Sequence, residues 1–564
     1  MKNKLFNILV AAFAVLTCIA VLCSCEKKTH VHTPGEWFVY REPTANVDGE
    51  KRQTCTECGQ VLDKETIIAT GSRGLTYRVN PDGVSCVIRG IGNCTDLDVY
   101  IGEYINGYKV TGIEEKAFYR NKNIRSVKIS PTVETVGEMA FSECPELLSV
   151  YFPDSVKEIG SGALSECPKL AKVRLPEGLK IISGGLFYKC EGLTEIIIPD
   201  SVEIIGGNAF DSCSALKSIT MPQALESIED NAFWYCKNLK SVELPQGIKS
   251  IKQSAFRGCE DLESINLPDS IIHLGEGAFN GCESLKEITI PSKISDLPDF
   301  VFDGCKSIIT VVIPSNITTI GSYAFGGCTS LESITIPTSV TKIDIAAFST
   351  TRSLKSVYIS DLEAWCKIKF DGIDSNPMTS GGAALYLNGE PVVDLVIPTS
   401  LENIGGYTFS GCTSIKTLTI SHPIDHISAY AFYRCTSLVS LTLPNGIKEI
   451  GMNAFEGCTS LSDFTIPDSV TEIWMYAFNE CEALRNVTLP EGMRYLRYGA
   501  FQNCKNLISI SLPYTLTGIE NSALSGCTSL QTITYNGPEN RWREVVKYLN
   551  WDYRTGNYKV ICNG

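Results

Sequence analysis

His30 and His32 stand two residues apart, and a thiol pair follows in Cys55-Thr56-Glu57-Cys58. Two imidazoles and two thiolates make up the donor set of a tetrahedral zinc site, and a C-x-x-C spacing lets one tight turn offer both sulfurs to one ion. Zinc is therefore the cofactor this segment suggests, with His30, His32, Cys55 and Cys58 as ligands. The competing reading is a small strand-rich spacer in which Cys55 and Cys58 are paired or free. A second thiol pair, Cys86 and Cys94, lies eight residues apart across a glycine-rich turn. In an oxidising compartment that spacing is compatible with a disulfide.

Most of the 24 cysteines follow a different logic. Fifteen recur in phase, from Cys144 to Cys328 and again from Cys412 to Cys527. An odd number that repeats once per unit has no natural pairing partner. Disulfides or a metal array thus give way to a small residue facing a crowded core, a role free cysteine often takes. His273, His422 and His426 sit in no triad, zinc helix or nucleophile motif, and no glycine-rich phosphate loop occurs. The sequence points away from an enzyme. A net charge of −14 without a basic run also points away from nucleic acid, whose phosphates need clustered Lys and Arg.

The elements that must position these residues are set by a period. A phenylalanine recurs every 23 residues from Phe118 to Phe348, with Leu164 standing in once, and again from Phe409 to Phe501, closed by Leu524. That makes 17 units, 11 before a gap and 6 after it. A strict period of this length marks a solenoid, in which each unit buries its apolar face only against its neighbours. The unit reads L-x-x-I-x-I-P-x-x-[VIL]-x-x-I-x-x-x-A-F-x-x-C, as in Leu331 to Phe348. Its I-x-I alternation predicts a short parallel strand with both isoleucines inward, ended by the proline. The Ala-Phe pair is expected in a compact helical or 3-10 return segment. At about 4.8 Å per strand, 17 units extend roughly 80 Å. The expected fold class is a repeat solenoid, α/β to mainly β, capped at both ends.

Residues 75–112 read as an N-terminal cap of short strands, with Asn106-Gly107 as a hairpin turn. The arrays span 113–360 and 391–535. In the gap, Trp365 follows Tyr358 by seven residues, and at the end Trp542 follows Tyr535 by the same seven. Residues 536–564 are read as the C-terminal cap and 361–390 as a related island, with Leu387-Asn388-Gly389-Glu390 as its hairpin. The island is expected to bend the solenoid or project a binding edge.

This repeat pattern closely resembles the BspA-like subclass of bacterial leucine-rich repeats, over about residues 75–564. The N-terminus resembles a lipoprotein signal peptide over residues 1–24: Lys2 and Lys4, an apolar run to Leu22, then Leu22-Cys23-Ser24-Cys25. That resemblance implies acylation of Cys25 and a bacterial chain tethered to a membrane. Residues 25–74 form a linker and a small His/Cys-bearing module. The module is similar to short modules of bacterial surface proteins through His32, Trp37, Glu42-Pro43-Thr44, Asp48-Gly49 and Cys55 to Gly59. Relatives of that pattern carry a further cysteine near Ala45 and a histidine near Ser72, both absent here.

BspA-like membership implies surface display and adhesion to host matrix protein, other cells or glycans. The alternatives are an envelope-structural or periplasmic interaction scaffold and a carbohydrate-capture lipoprotein. Outward positions beside the inner isoleucines line one face of the array. Near its start they are Lys128, Tyr151, Lys172 and Arg174, a basic and aromatic set suited to an acidic protein or glycan; later they become a Thr ladder that β-propensity alone explains.

Overall fold

The computed structural model describes residues 31–41, 49–67, 71–462 and 464–564. The leader, Cys25 and His30 lie outside the described residues. The chain divides into two compact units, residues 1–71 and 72–564.

The first unit is a three-stranded antiparallel sheet of β1 (Pro34–Arg41), β2 (Gly49–Cys55) and β3 (Val61–Ile67), in the order β1-β2-β3. Its faces are largely open. Phe38, Val39 and Tyr40 are exposed, and Cys55 is the one buried apolar residue among those described.

The second unit begins with β4 (Thr76–Val79) and β5 (Ser85–Gly90), an antiparallel pair joined by a turn in which the Asp82 carboxylate accepts from the Val84 and Ser85 amides. Then come β6 (Asp98–Ile101) and the hairpin of β7 (Tyr104–Ile105) and β8 (Tyr108–Ile113), which turns at Asn106 and Gly107, both left-handed. In β5, Cys86 lies parallel to Val110 of β8, so the cap already has the geometry of the repeats it covers.

Most repeats contribute two strands. The I-x-I strand gives β9 (Ser126–Ile129), β11 (Ser149–Tyr151), β13 (Lys172–Arg174) and β15 (Glu195–Ile197). Between them come two-residue strands, β10 (Thr135–Val136), β12 (Glu158–Ile159) and β14 (Ile181–Ile182). Pairing is parallel and in phase: Ser126 faces Ser149, and Ser149 faces Lys172. The second strand lies at the isoleucine before Ala-Phe, and forms its own ladder on another face, Thr135 to Glu158.

The Ala-Phe segment, expected as helix or 3-10, is a chain of turns. Two residues per unit take left-handed angles, as Asn208 (φ 55°) and Ser212 (φ 60°) do on either side of Phe210. No helix accommodates such residues at that spacing. The amides instead reach the next unit: Phe210 N–H donates to the Ala232 carbonyl at 2.7 Å, and Phe233 to Ala255 at 2.7 Å. The turns thus stack as a third hydrogen-bonded ladder.

Inside these ladders the phenylalanines stack. Phe210 and Phe233 lie 5.1 Å apart at 1°, and Phe233 and Phe256 at 5.1 Å and 5°. The phase cysteines have a specific partner. In 14 of the 15, Sγ donates to the carbonyl of the residue at the Phe position one unit back, as Cys236 does to Phe210 at 3.1 Å. Outside, lysines pair with glutamates one period away, as Lys249 with Glu226 (2.8 Å) and Lys306 with Glu283 (2.7 Å). Such exposed pairs contribute about 0–1 kcal/mol each.

Residues 361–391 form an enlarged turn within this stack. Asp361 caps a short helix, Leu362–Cys366, and Lys369–Phe370 pairs with Lys342–Ile343. A second short helix, Pro377–Gly381, precedes Ala384–Leu387, which pairs with Ser356–Ile359. Asn388 and Gly389, both left-handed, then turn the chain into an antiparallel hairpin. Both strand ladders end here, and a new one starts at Asp394–Val396.

Candidate binding face and thiol cluster

The four predicted face residues fall in one place because parallel pairing in phase aligns outward positions. Tyr100 of β6 lies beside Lys128 of β9, Lys128 beside Tyr151 of β11, and Tyr151 beside Arg174 of β13. Lys172 projects from the same strand as Arg174. Lys128 Nζ sits 5.2 Å from the centre of the Tyr100 ring, a cation–π contact.

Arg174 is not a free cation. Its guanidinium donates to both oxygens of Asp154 (2.8 and 2.9 Å) and to the Phe152 carbonyl (2.8 Å). The Glu177 amide and Arg174 together hold the Asp154 carboxyl below the usual carboxylate range. Tyr151, Lys172 and Arg174 line a groove of about 610 Å³ together with Glu177, Glu195 and Ile197. The groove therefore carries both signs of charge, where the sequence suggested a basic patch.

Its most informative residue was missed. Ile197, at the outward position of its strand, is 78% exposed, against 45% for Tyr151. The signal was present in the triple Ile196-Ile197-Ile198, where most other units place a polar or charged residue outward. Val312, 61% exposed, repeats the pattern beside a second groove that also holds Glu243 and Glu287. In the later array Thr419 aligns with Thr442, and Thr488 with Ser511 and Thr534.

In the small unit, Pro34 of β1 pairs with Cys55 at the end of β2, and the Thr56 amide donates to the Thr33 carbonyl at 3.1 Å. This pairing brings His32 to the C-x-x-C turn. Gly59, at φ 73°, closes that turn by donating to the Cys55 carbonyl at 2.9 Å. The donor atoms of His32, Cys55 and Cys58 all lie within 4.8 Å of one another, and Cys58 Sγ is 3.5 Å from His32 Nδ1.

Cys86 and Cys94 do not form the disulfide their spacing suggested. Cys86 is buried opposite Val79 of β4, whereas Cys94 follows Asn93, whose amide donates to Gly74 at 3.0 Å. Five residues of extended chain separate Val79 from Gly74, about 16 Å, and a disulfide needs Cα atoms within about 7 Å. Burial pushes the Cys86 thiol pKa up. The His422 imidazole is engaged structurally, with Nε2 2.7 Å from the Leu401 carbonyl. Among the described residues no helix is long and apolar enough to cross a membrane.

The BspA type leucine-rich repeat region matches the chain over residues 111–240, 180–271, 249–371, 382–473 and 448–544. Among solved structures, a leucine-rich repeat protein from Bacteroides ovatus is similar at 24% identity, covering 86% of this chain and 98% of its own, with a TM-score of 0.45. The leucine-rich repeat protein of T. pallidum is similar at 30% identity over 38% of this chain and 88% of its own, with a TM-score of 0.30. A leucine-rich cell surface protein from Faecalibacterium prausnitzii matches at 20% identity over 86% of this chain and 98% of its own, with a TM-score of 0.32. No curated protein matches the chain.

Proposed function

The chain belongs to the BspA-type leucine-rich repeat family, and from that premise we propose a lipid-anchored, surface-displayed scaffold that binds a protein partner through the strand face of its first turns. The observation that carries this reading is Ile197, held outward in the groove that Tyr151 also lines, two repeats away, with Lys172, Arg174, Glu177 and Glu195 at its rim. Fully burying such a side chain contributes about 1.5–3 kcal/mol. Aromatic residues and arginines anchor protein interfaces, and rim charges of both signs fix orientation. A glycan gains less here, since Ile197 offers it no hydrogen bond. The role is adhesion to matrix protein or to other cells, with acylated Cys25 as the tether, and it asks no chemistry of the repeats.

Proteolysis of intact cells tests display, with a cytoplasmic and a periplasmic protein as controls. Release of the array while both controls survive is expected; complete protection overturns the surface reading. A panel of matrix proteins and glycans then tests the face. Ile197→Asp and Tyr151→Ala are each expected to weaken protein binding at least tenfold, while Lys249→Ala, on another face, leaves it unchanged. Equal binding by all variants, or binding to glycans alone, removes this groove from the proposal.

A further inference from the structure

We propose that His32, Cys55 and Cys58 hold one zinc ion, and that this ion staples the small sheet of the first unit. Three observations converge. Tetrahedral zinc has bonds of about 2.3 Å to sulfur and 2.0–2.1 Å to nitrogen, which puts a bound thiolate and imidazole nitrogen about 3.6 Å apart. Cys58 Sγ and His32 Nδ1 are 3.5 Å apart, and Cys55 Sγ lies within 4.8 Å of both. The pairing of Pro34 with Cys55 and the Gly59 turn set this geometry with backbone contacts alone. Two thiolates with an imidazole select zinc over the harder cations, which prefer oxygen.

The third observation is energetic. Among its described residues this unit buries one apolar side chain, Cys55, and leaves Phe38, Val39 and Tyr40 exposed. A sheet of three strands without a core is unstable alone, and small units of this kind are held by disulfides or metals. Metal-binding free energy then acts as folding free energy. His32 and Cys58 are both exposed, and the fourth ligand the sequence suggests, His30, lies outside the described residues.

Cobalt titration of the full-length chain in reducing buffer tests the site. One equivalent is expected to bind, with the thiolate-to-metal absorption of a two-sulfur tetrahedral complex, and zinc is expected to displace it. Cys58→Ser, which alters an exposed side chain, is expected to weaken binding more than tenfold, and His32→Ala likewise. In hydrogen exchange, zinc is expected to protect residues 49–67, and a chelator to remove that protection while residues 72–564 stay unchanged. Absence of stoichiometric uptake overturns the proposal. So does uptake that survives the Cys55→Ser/Cys58→Ser double variant, which places the metal on other thiols.

Discussion

Residues 361–391 and 536–564 are two versions of one enlarged turn, one inside the array and one at its end. Each has a strand, a short helix bearing a tryptophan, a two-residue strand on the second ladder and a strand on the first. In the second version, Val546–Lys547 pairs with Gly518–Ile519, and Lys559–Cys562 with Thr532–Tyr535. What differs is what lies on top. Trp365 is 1% exposed and its indole donates to the Thr408 carbonyl at 3.1 Å. Trp542 is half-buried and lies under Lys547, whose Nζ is 4.0 Å from the ring centre.

The internal copy also crosses to the next turn by unusual means. Asn376 Nδ2 donates to the Tyr407 and Thr408 carbonyls, and Thr413 Oγ1 donates to Gly382. The Leu385 amide reaches the Ser414 hydroxyl rather than a backbone partner. Cys412, next in phase, contacts Ser414 at 3.3 Å rather than a carbonyl one unit back. A terminal unit thus becomes an internal one when side chains reinforce a crossing in which the Thr413 amide donates to the Ala383 carbonyl at 3.2 Å.

Alkali is the harshest way to divide the two copies. Cys366, beside Trp365, is buried, and its pKa is pushed up to about 12, as burial does for Cys190. The matching position at the end is the exposed Arg543. An unfolded thiol ionises near 9, so the folded state holds its protons longer. Stability is then complete below pH 9 and is lost as pH rises toward 12. Under reducing conditions, hydrogen exchange is expected to show the arrays and the internal copy opening over that range. A stability profile flat to pH 11 contradicts this.

Substituting the tryptophans compares the copies directly. Trp365→Ala is expected to cost about 3–5 kcal/mol in denaturant unfolding, as large buried aromatics do. Trp542→Ala is expected to cost less than about 2 kcal/mol, because much of its surface already meets water. Equal costs would mean that cover by the second array adds nothing. The smallest effect is at the helix starts. Asp361, three residues after Tyr358, caps the Ala364 amide at 2.9 Å, and Asp361→Ala is expected to cost about 0.5–2 kcal/mol. At the end the same role falls to Pro538, which makes no side-chain cap bond, so Pro538→Ala is expected to be near neutral.

The period, the inward isoleucines and the phenylalanine stack were legible because each repeats its spacing along the chain. The equal Tyr-to-Trp interval linked the two enlarged turns for the same reason. A two-residue strand such as Glu158–Ile159 leaves no periodicity to read. The left-handed angles at Asn208 and Ser212 were hidden because other units place different residues there. The reason for cysteine was out of reach as well, since its carbonyl partner lies 26 residues away in sequence, as for Cys236 and Phe210. At the candidate face, Lys128 and Tyr151 could be aligned from the repeat, but the Arg174–Asp154 pair bridges positions that share no phase.

The interruption at residue 391 has a mechanical meaning. Pulled along its axis, the array carries tension from turn to turn through three hydrogen-bonded ladders in parallel. Between Leu387 and Asp394 both strand ladders stop. They also stop after Arg174, Leu274 and Ile473, but there the turn ladder runs on through backbone amides such as that of Phe279, which donates to Val301, whereas the crossing after Leu387 rests on the side chains of Trp365, Asn376 and Thr413 beside one backbone bond, from Thr413 to Ala383. A force along the axis is expected to open that crossing before the all-backbone turns on either side of it.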